Sequence, residues 1–159
     1  TPDPGSEIPD LVVDLKVSEN GSDLEVLKFT NAKQKSTTSS CNGAYSSAAN
    51  MFTINTLGKL GAPGPSFVFA GPTGGVNTGT YDVTTAKTVC SYTTSSSEQF
   101  LATSGHIKIV KAELYADVGG NTAKEYFCDI EVDVTLQSKD GKRTISVKGT
   151  LTGVNIKSN

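Results

Sequence analysis

From Tyr126 to Leu136 every second residue is apolar: Tyr126, Cys128, Ile130, Val132, Val134 and Leu136, with Asp129, Glu131 and Asp133 among the residues between them. A period of two held over this length is a strand with one buried and one wetted face, because a helix would scatter the same residues around its axis. Asp140-Gly141 follows, a dipeptide suited to the positive φ values of a two-residue type I′ hairpin turn. A turn there pairs residues whose numbers sum to 281. Leu136 then faces Ile145, Val134 faces Val147, and Ile130 faces Leu151, all on the apolar side. On the wetted side Asp133 meets Lys148, while Glu131 and Asp129 meet Thr150 and Thr152. Gly149 opposes Val132 and leaves a gap that a side chain of another sheet would fill. A slip of one residue would turn every one of these side chains to the wrong face.

The rest of the chain supplies partners for this hairpin. Leu11, Val13, Leu15 and Val17 alternate in a first strand, Asn20-Gly21 turns, and Leu24–Thr30 returns with a phase slip between Val26 and Leu27 that predicts a bulge. Residues 31–50 are polar and read as a long loop or irregular edge. Met51–Leu57 is a strand, Pro63-Gly-Pro65 breaks the chain, and Ser66–Ala70 is a short apolar strand. A glycine-rich loop over 71–79 leads into Gly79–Val83. Thr88–Thr93 and Gln99–Thr103 form a hairpin around a polar tip, and His106–Leu114 is a further strand before Gly119-Gly-Asn121.

No segment holds a 3.6-residue apolar period over three turns. Thr suits pleated surfaces and Ser suits turns, and 17 Ser and 20 Thr among 159 residues push the same way. The expected architecture is all-β: a single antiparallel β-sandwich of about nine strands over residues 11–159, with a β-barrel as the alternative. Residues 1–10 hold three of the six prolines and three acids and read as a leader or tether. Any signal peptide is expected to have been removed already. A net charge of −2 argues against nucleic acid as a partner, and no run approaches the roughly 18 apolar residues of a membrane span.

Three cysteines, Cys41, Cys90 and Cys128, match no zinc spacing with the lone His106. In a hydroxyl-rich β protein they suggest an oxidising, secreted or surface location, with a Cys90–Cys128 disulfide or alternatively Cys41–Cys90. Three buried thiols are the remaining possibility. His106 is the one candidate base near neutral pH, with Ser104 two residues away, but no nucleophile elbow organises a triad. Asp129, Glu131 and Asp133 share a strand face at a spacing of about 6.5 Å, too wide to close on one calcium ion. The 71–79 loop lacks the Gly-Lys-Ser/Thr ending of a phosphate loop. That loop and the one over 115–124 are the places to look for a ligand, with Tyr81, Tyr92, Tyr115 and Phe127 as aromatic platforms. Asn20-Gly-Ser22 matches a glycosylation sequon within turn chemistry. No cofactor is implied.

Gly79-Thr-Tyr81, Ser104-Gly-His-Ile-Lys-Ile109 and Lys148-Gly-Thr-Leu-Thr-Gly153, taken in that order, resemble the strands of small β-sandwich domains in bacterial cell-envelope lipoproteins of unknown function. The resemblance covers about half the chain and implies a fold and an envelope location. It carries no functional residue. It also implies that a lipid tether preceded the leader, although the attachment cysteine is absent from this sequence. The expected function is a non-catalytic, secreted or envelope-tethered module that recognises a protein or glycan through loops or a sheet face. A structural component assembling through sheet edges is the alternative, and a small hydrolase using His106 is a third.

Overall fold

A computed structural model describes residues 8–35, 40–46, 48, 51–57, 63–70, 76–82, 90–94, 98–117 and 124–158. At 40, 56–57, 63–67, 69–70, 81–82, 90 and 116–117 it describes the main chain only. Its backbone is an antiparallel sheet of three long strands, β8 (Gln99–Asp117), β9 (Lys124–Ser138) and β10 (Thr144–Ser158). The expected register holds through most of the hairpin, with Leu136 opposite Ile145, Val134 opposite Val147, Asp133 opposite Lys148 and Ile130 opposite Leu151. It then shifts by one at Thr152-Gly153, so that Val154 faces Cys128 and the Asp129–Thr152 pair does not form.

The turn differs from the expected type. Gly141 takes φ 72°, but Asp140 keeps a negative φ. Gly141 N–H donates to the Ser138 carbonyl at 2.9 Å, and Ser138 N–H to the Arg143 carbonyl at 3.0 Å, closing a four-residue loop. The Asp140 carboxylate accepts from the Ser138 hydroxyl at 2.6 Å and from Lys142 N–H at 3.0 Å. These bonds hold Asp140 in an Asx-type turn, and a type I′ conformation would break them.

β10 serves three neighbours. β9 lies along one edge, while β1 (Leu11–Glu19) and then β3 (Ser40–Ser46) share the other. Gly149 sits where β1 passes, at φ 148°, and a Cβ there would stand 1.9 Å from the Asp14 carbonyl oxygen. The gap predicted opposite Val132 is therefore occupied by the backbone of β1. β2 (Ser22–Asn31) pairs with β1 through a turn in which Asn20 and Gly21 both have positive φ, the signature of type I′. Its bulge falls at Leu24, against the Val17/Ser18 step, and not at Val26/Leu27. Val26 simply faces outward, 55% exposed, beside inward Leu27.

The second layer holds β3, β4 (Met51–Leu57), β5 (Pro63–Ala70) and β7 (Cys90–Thr93), and it runs from the end of β10 to the start of β8. β3 occupies the stretch expected as a loop, because Cys41 and Tyr45 on one side of a polar strand bury themselves in the core. β3 is parallel to β10; the other pairings among the described strands are antiparallel. Pro63 and Pro65 lie inside β5, outside the stretch that pairs with β7, and Pro65 also falls at the register shift where β4 gives it no partner. The segments expected as separate strands at 99–103 and 106–114 are one strand, β8, which bends at a register shift between Ala102 and Ser104. β6 (Gly79–Asp82) pairs with the middle of β8, so Tyr81 lies opposite Ile107. Two of the short motifs noted in the sequence are thus neighbours in space.

β2 and β6 are the ends of the pairing path, while β9 joins β10 to β8, so the pairings also run from β10 through β3, β4, β5, β7, β8 and β9 back to β10. Leu15, Tyr45, Phe52, Tyr92, Phe100, Ile109, Val134 and Val147 belong to one buried cluster between the layers. Tyr45 and Phe52 meet at 4.7 Å between ring centroids. No helix among the described residues is long and apolar enough to cross a membrane.

Candidate functional site

The wetted face of the long strands alternates in charge. Lys111 lies opposite Asp129, Lys108 opposite Glu131 and His106 opposite Asp133. The acidic row on β9 is therefore matched by a basic row on β8, with Lys148 on the far side of Asp133. Among the described residues no three His, Cys, Asp or Glu side chains converge as a metal site. His106 is exposed on this flat face. Ser104 is two residues away on the same strand, about 6.5 Å along it.

A concave feature lined by aromatic residues lies at the far end of the same sheet. There a cavity of about 300 Å³ opens between β3, β8, β9, β10 and the segment that follows β2. Tyr115 from β8 and Phe127 from β9 form part of its wall, edge to face, with ring centroids 5.0 Å apart at 69°. Asn42 and Asn155 stand opposite each other on the adjoining β3 and β10 and add two carboxamides. Buried Asn31 and the side chain of Gln34 add two more. Glu125 is the one acidic side chain among the described lining residues, and Lys157 lies 3.8 Å from it.

The geometry of this end follows from the bulge at Thr152-Gly153, where β10 leaves β1 and takes up β3. Gly153 has φ 75°, and a Cβ there would lie 2.3 Å from the Asp10 carbonyl oxygen. Its N–H donates to Asp129 Oδ1 at 3.0 Å and its carbonyl accepts from Gln34 Nε2 at 2.6 Å. Gln34 belongs to a 3-10 turn over Ala32–Gln34, and its amide also donates to the Pro9 carbonyl at 3.3 Å. Lys33 N–H donates to Asp10 Oδ1 at 2.8 Å. The last residues of the expected leader are therefore fastened to the domain, and Ile8 lines the cavity.

Of the expected aromatic platforms, Tyr115 and Phe127 come together. Tyr81 does not join them: it pairs with Ile107, eight residues from Tyr115 and so roughly 25 Å along β8. Residues 76–79, which enter β6, lead to that distant position too, and residues 71–75 of the glycine-rich loop fall outside the described residues. Tyr92 is a core residue, fully buried, whose hydroxyl donates to Glu25 Oε1 at 2.7 Å across the layers. The four carboxamides were not singled out from sequence, since they are scattered from position 31 to 155 with no local motif.

Neither expected disulfide is present. Cys41 and Cys128 are both free and buried, and burial pushes each thiol up to about 12. The registers explain the outcome. Cys128 faces Ala112, whereas Cys90 precedes Ser91, which pairs with Leu101 near the opposite end of β8. Cys41 and Cys128 lie on either side of β10, about 10 Å apart across two strand spacings, beyond disulfide reach. The Cys90 side chain lies outside the described residues. No protein-family model matches the chain, and no curated protein or solved structure matches it.

Proposed function

We propose that this chain is a non-catalytic binding module, secreted or held at a cell envelope, that takes a glycan in the Tyr115–Phe127 cavity. The carrying observation is the union, in one concave site, of an edge-to-face aromatic pair with carboxamides from three separate parts of the chain. An aromatic face accepts the apolar C–H face of a sugar ring. Carboxamides donate and accept at once, which suits sugar hydroxyls that do the same. The hydroxyl-rich, Trp-free composition fits an extracellular location, as does the envelope-domain resemblance of the motifs around β6, β8 and β10.

The alternatives draw less support. Assembly through edges is opposed by the bulge in β2, by the inward-facing Glu25 on that edge and by the four-residue length of β6. Hydrolysis by His106 draws no support from the cavity, which His106 does not line. The test is a glycan array followed by titration calorimetry. Phe127→Ala is expected to weaken the best array binder by about tenfold or more, the effect of losing an anchoring aromatic. An empty array, or a binder indifferent to Phe127→Ala, sinks the reading.

A further inference from the structure

The N-terminal wall of the cavity is held by a few hydrogen bonds and by no strand. Ile8 reaches the cavity with 38% of its surface exposed. The two residues behind it are fixed through Asp10 to Lys33 N–H and through Pro9 to Gln34. Gln34 is the common member, since the same amide holds the Gly153 bulge and the same side chain lines the cavity. Lys33 and Gln34 do this at φ 52° and 54°, left-handed values that non-glycine residues adopt only when their surroundings impose them. Backbone kept in such a state by a handful of hydrogen bonds relaxes when they open.

We propose that Ile8–Asp10 is a strap over the cavity, which releases as a unit when its bonds to Lys33 and Gln34 open and whose docking is coupled to occupancy of the site. The coupling half rests on the binding-site reading above; the release half does not. A ligand held against Ile8 favours the docked strap, so a variant that loosens the strap must bind more weakly by the same coupling.

Cys41 supplies the reporter, because it lies on the cavity wall and is only 1% exposed. Iodoacetamide labelling, read peptide by peptide in a mass spectrometer, follows its exposure. Cys128, on the other side of β10, reports loosening of the whole core. Asp10→Ala, which removes one hydrogen bond, and Gln34→Ala, which removes two, are each expected to speed Cys41 labelling about tenfold or more and leave Cys128 unchanged. Equal acceleration of both thiols, or no acceleration of Cys41, overturns the strap. Cellohexaose and chitohexaose then serve as neutral probes of coupling. Protection of Cys41 by either one, weakened about tenfold in Asp10→Ala, supports coupling, since Asp10 does not line the cavity. Undiminished protection in that variant overturns the coupling. No protection by any saccharide removes the glycan reading, and the labelling rates without sugar still decide the strap.

Discussion

The two ends of the β8–β9–β10 sheet are finished with opposite chemistry. At the turn end Arg143 grips Glu19 with two hydrogen bonds, at 2.8 and 3.1 Å, and also pairs with Glu98. Its guanidinium lies 5.3 Å from the centre of the Phe100 ring. The end of β1, the tip between β7 and β8 and the start of β10 are thereby tied by one charged side chain. At the cavity end the ties are carboxamide and main-chain hydrogen bonds around Gln34 and Gly153, with Asp10 and Asp129 as the charged acceptors. Ion pairs weaken with salt and with acid, whereas amide contacts change little with either. The charged end is therefore a fastening beside an open hollow of about 650 Å³ lined by polar and charged residues, and the amide end is where Lys33 and Gln34 hold left-handed backbone beside the aromatic cavity.

The strongest way to break this contrast is Gly153→Ala. The new Cβ would meet the Asp10 carbonyl in a backbone conformation that resists side chains, so a loss of about 2–4 kcal/mol is expected in urea denaturation. Labelling of Cys41 should rise further than global unfolding explains. Next comes Tyr92→Phe, which removes the hydroxyl that joins the layers and leaves Glu25 without that donor. A cost of about 1–2 kcal/mol is expected, with the core spectroscopically intact. Equal stability of the variant would show that Glu25 is fully served by water.

Acid and salt sharpen the contrast without opening the core. The hydrogen bond from Arg143 holds the Glu19 carboxyl below its ordinary value of 4.5 against the opposing effect of burial, and the positive charge of Arg143 adds a smaller lowering effect. A carboxyl lowered by folding contributes stability that is complete above its unfolded pKa and is lost as pH falls through the folded one. Thermal melts should show an acid limb below about pH 4.5 that flattens in Arg143→Met. One molar salt, with a screening length of about 3 Å, should speed amide exchange near Arg143 and leave Lys33 N–H unchanged. The smallest effect is expected of Lys33→Gly. It relieves a left-handed φ while loosening the unfolded chain, so stability should shift by no more than about 1 kcal/mol, in either direction. A larger loss would mean that the Lys33 side chain itself holds the turn.

Where a residue's neighbours are set by local pattern, the sequence carried the answer. The 126–151 register follows from alternation, and the Asn20-Gly21 turn from its dipeptide. β3 was hidden because its inward residues, Cys41 and Tyr45, are separated by Gly43, whose small size serves the approach of Ile156 and the Thr53 carbonyl. The register shift at Thr152-Gly153 was hidden for a related reason, since what imposes it is the backbone of Asp10, more than 140 residues earlier. The candidate site was half legible. Aromatic type flagged Tyr115 and Phe127 among four platforms. The carboxamides that complete the cavity are ordinary surface residues until β3 and β10 run side by side.

That parallel pair bears on how the chain reaches its fold. β10 is the last of the ten described strands to be synthesised, yet β1, β3 and β9 all take it as a partner, and β2 is attached only through β1. During translation the β1–β2 hairpin must wait as an isolated ribbon, marginal alone, until β10 arrives beside it. Folding should therefore be slow and late, and strongly dependent on contacts distant in sequence. Loss of residues 155–158 would cut β3 from β10 and leave the second layer joined to the long sheet only through β7 and β8, even though the first hairpin and most of the long sheet would remain able to pair.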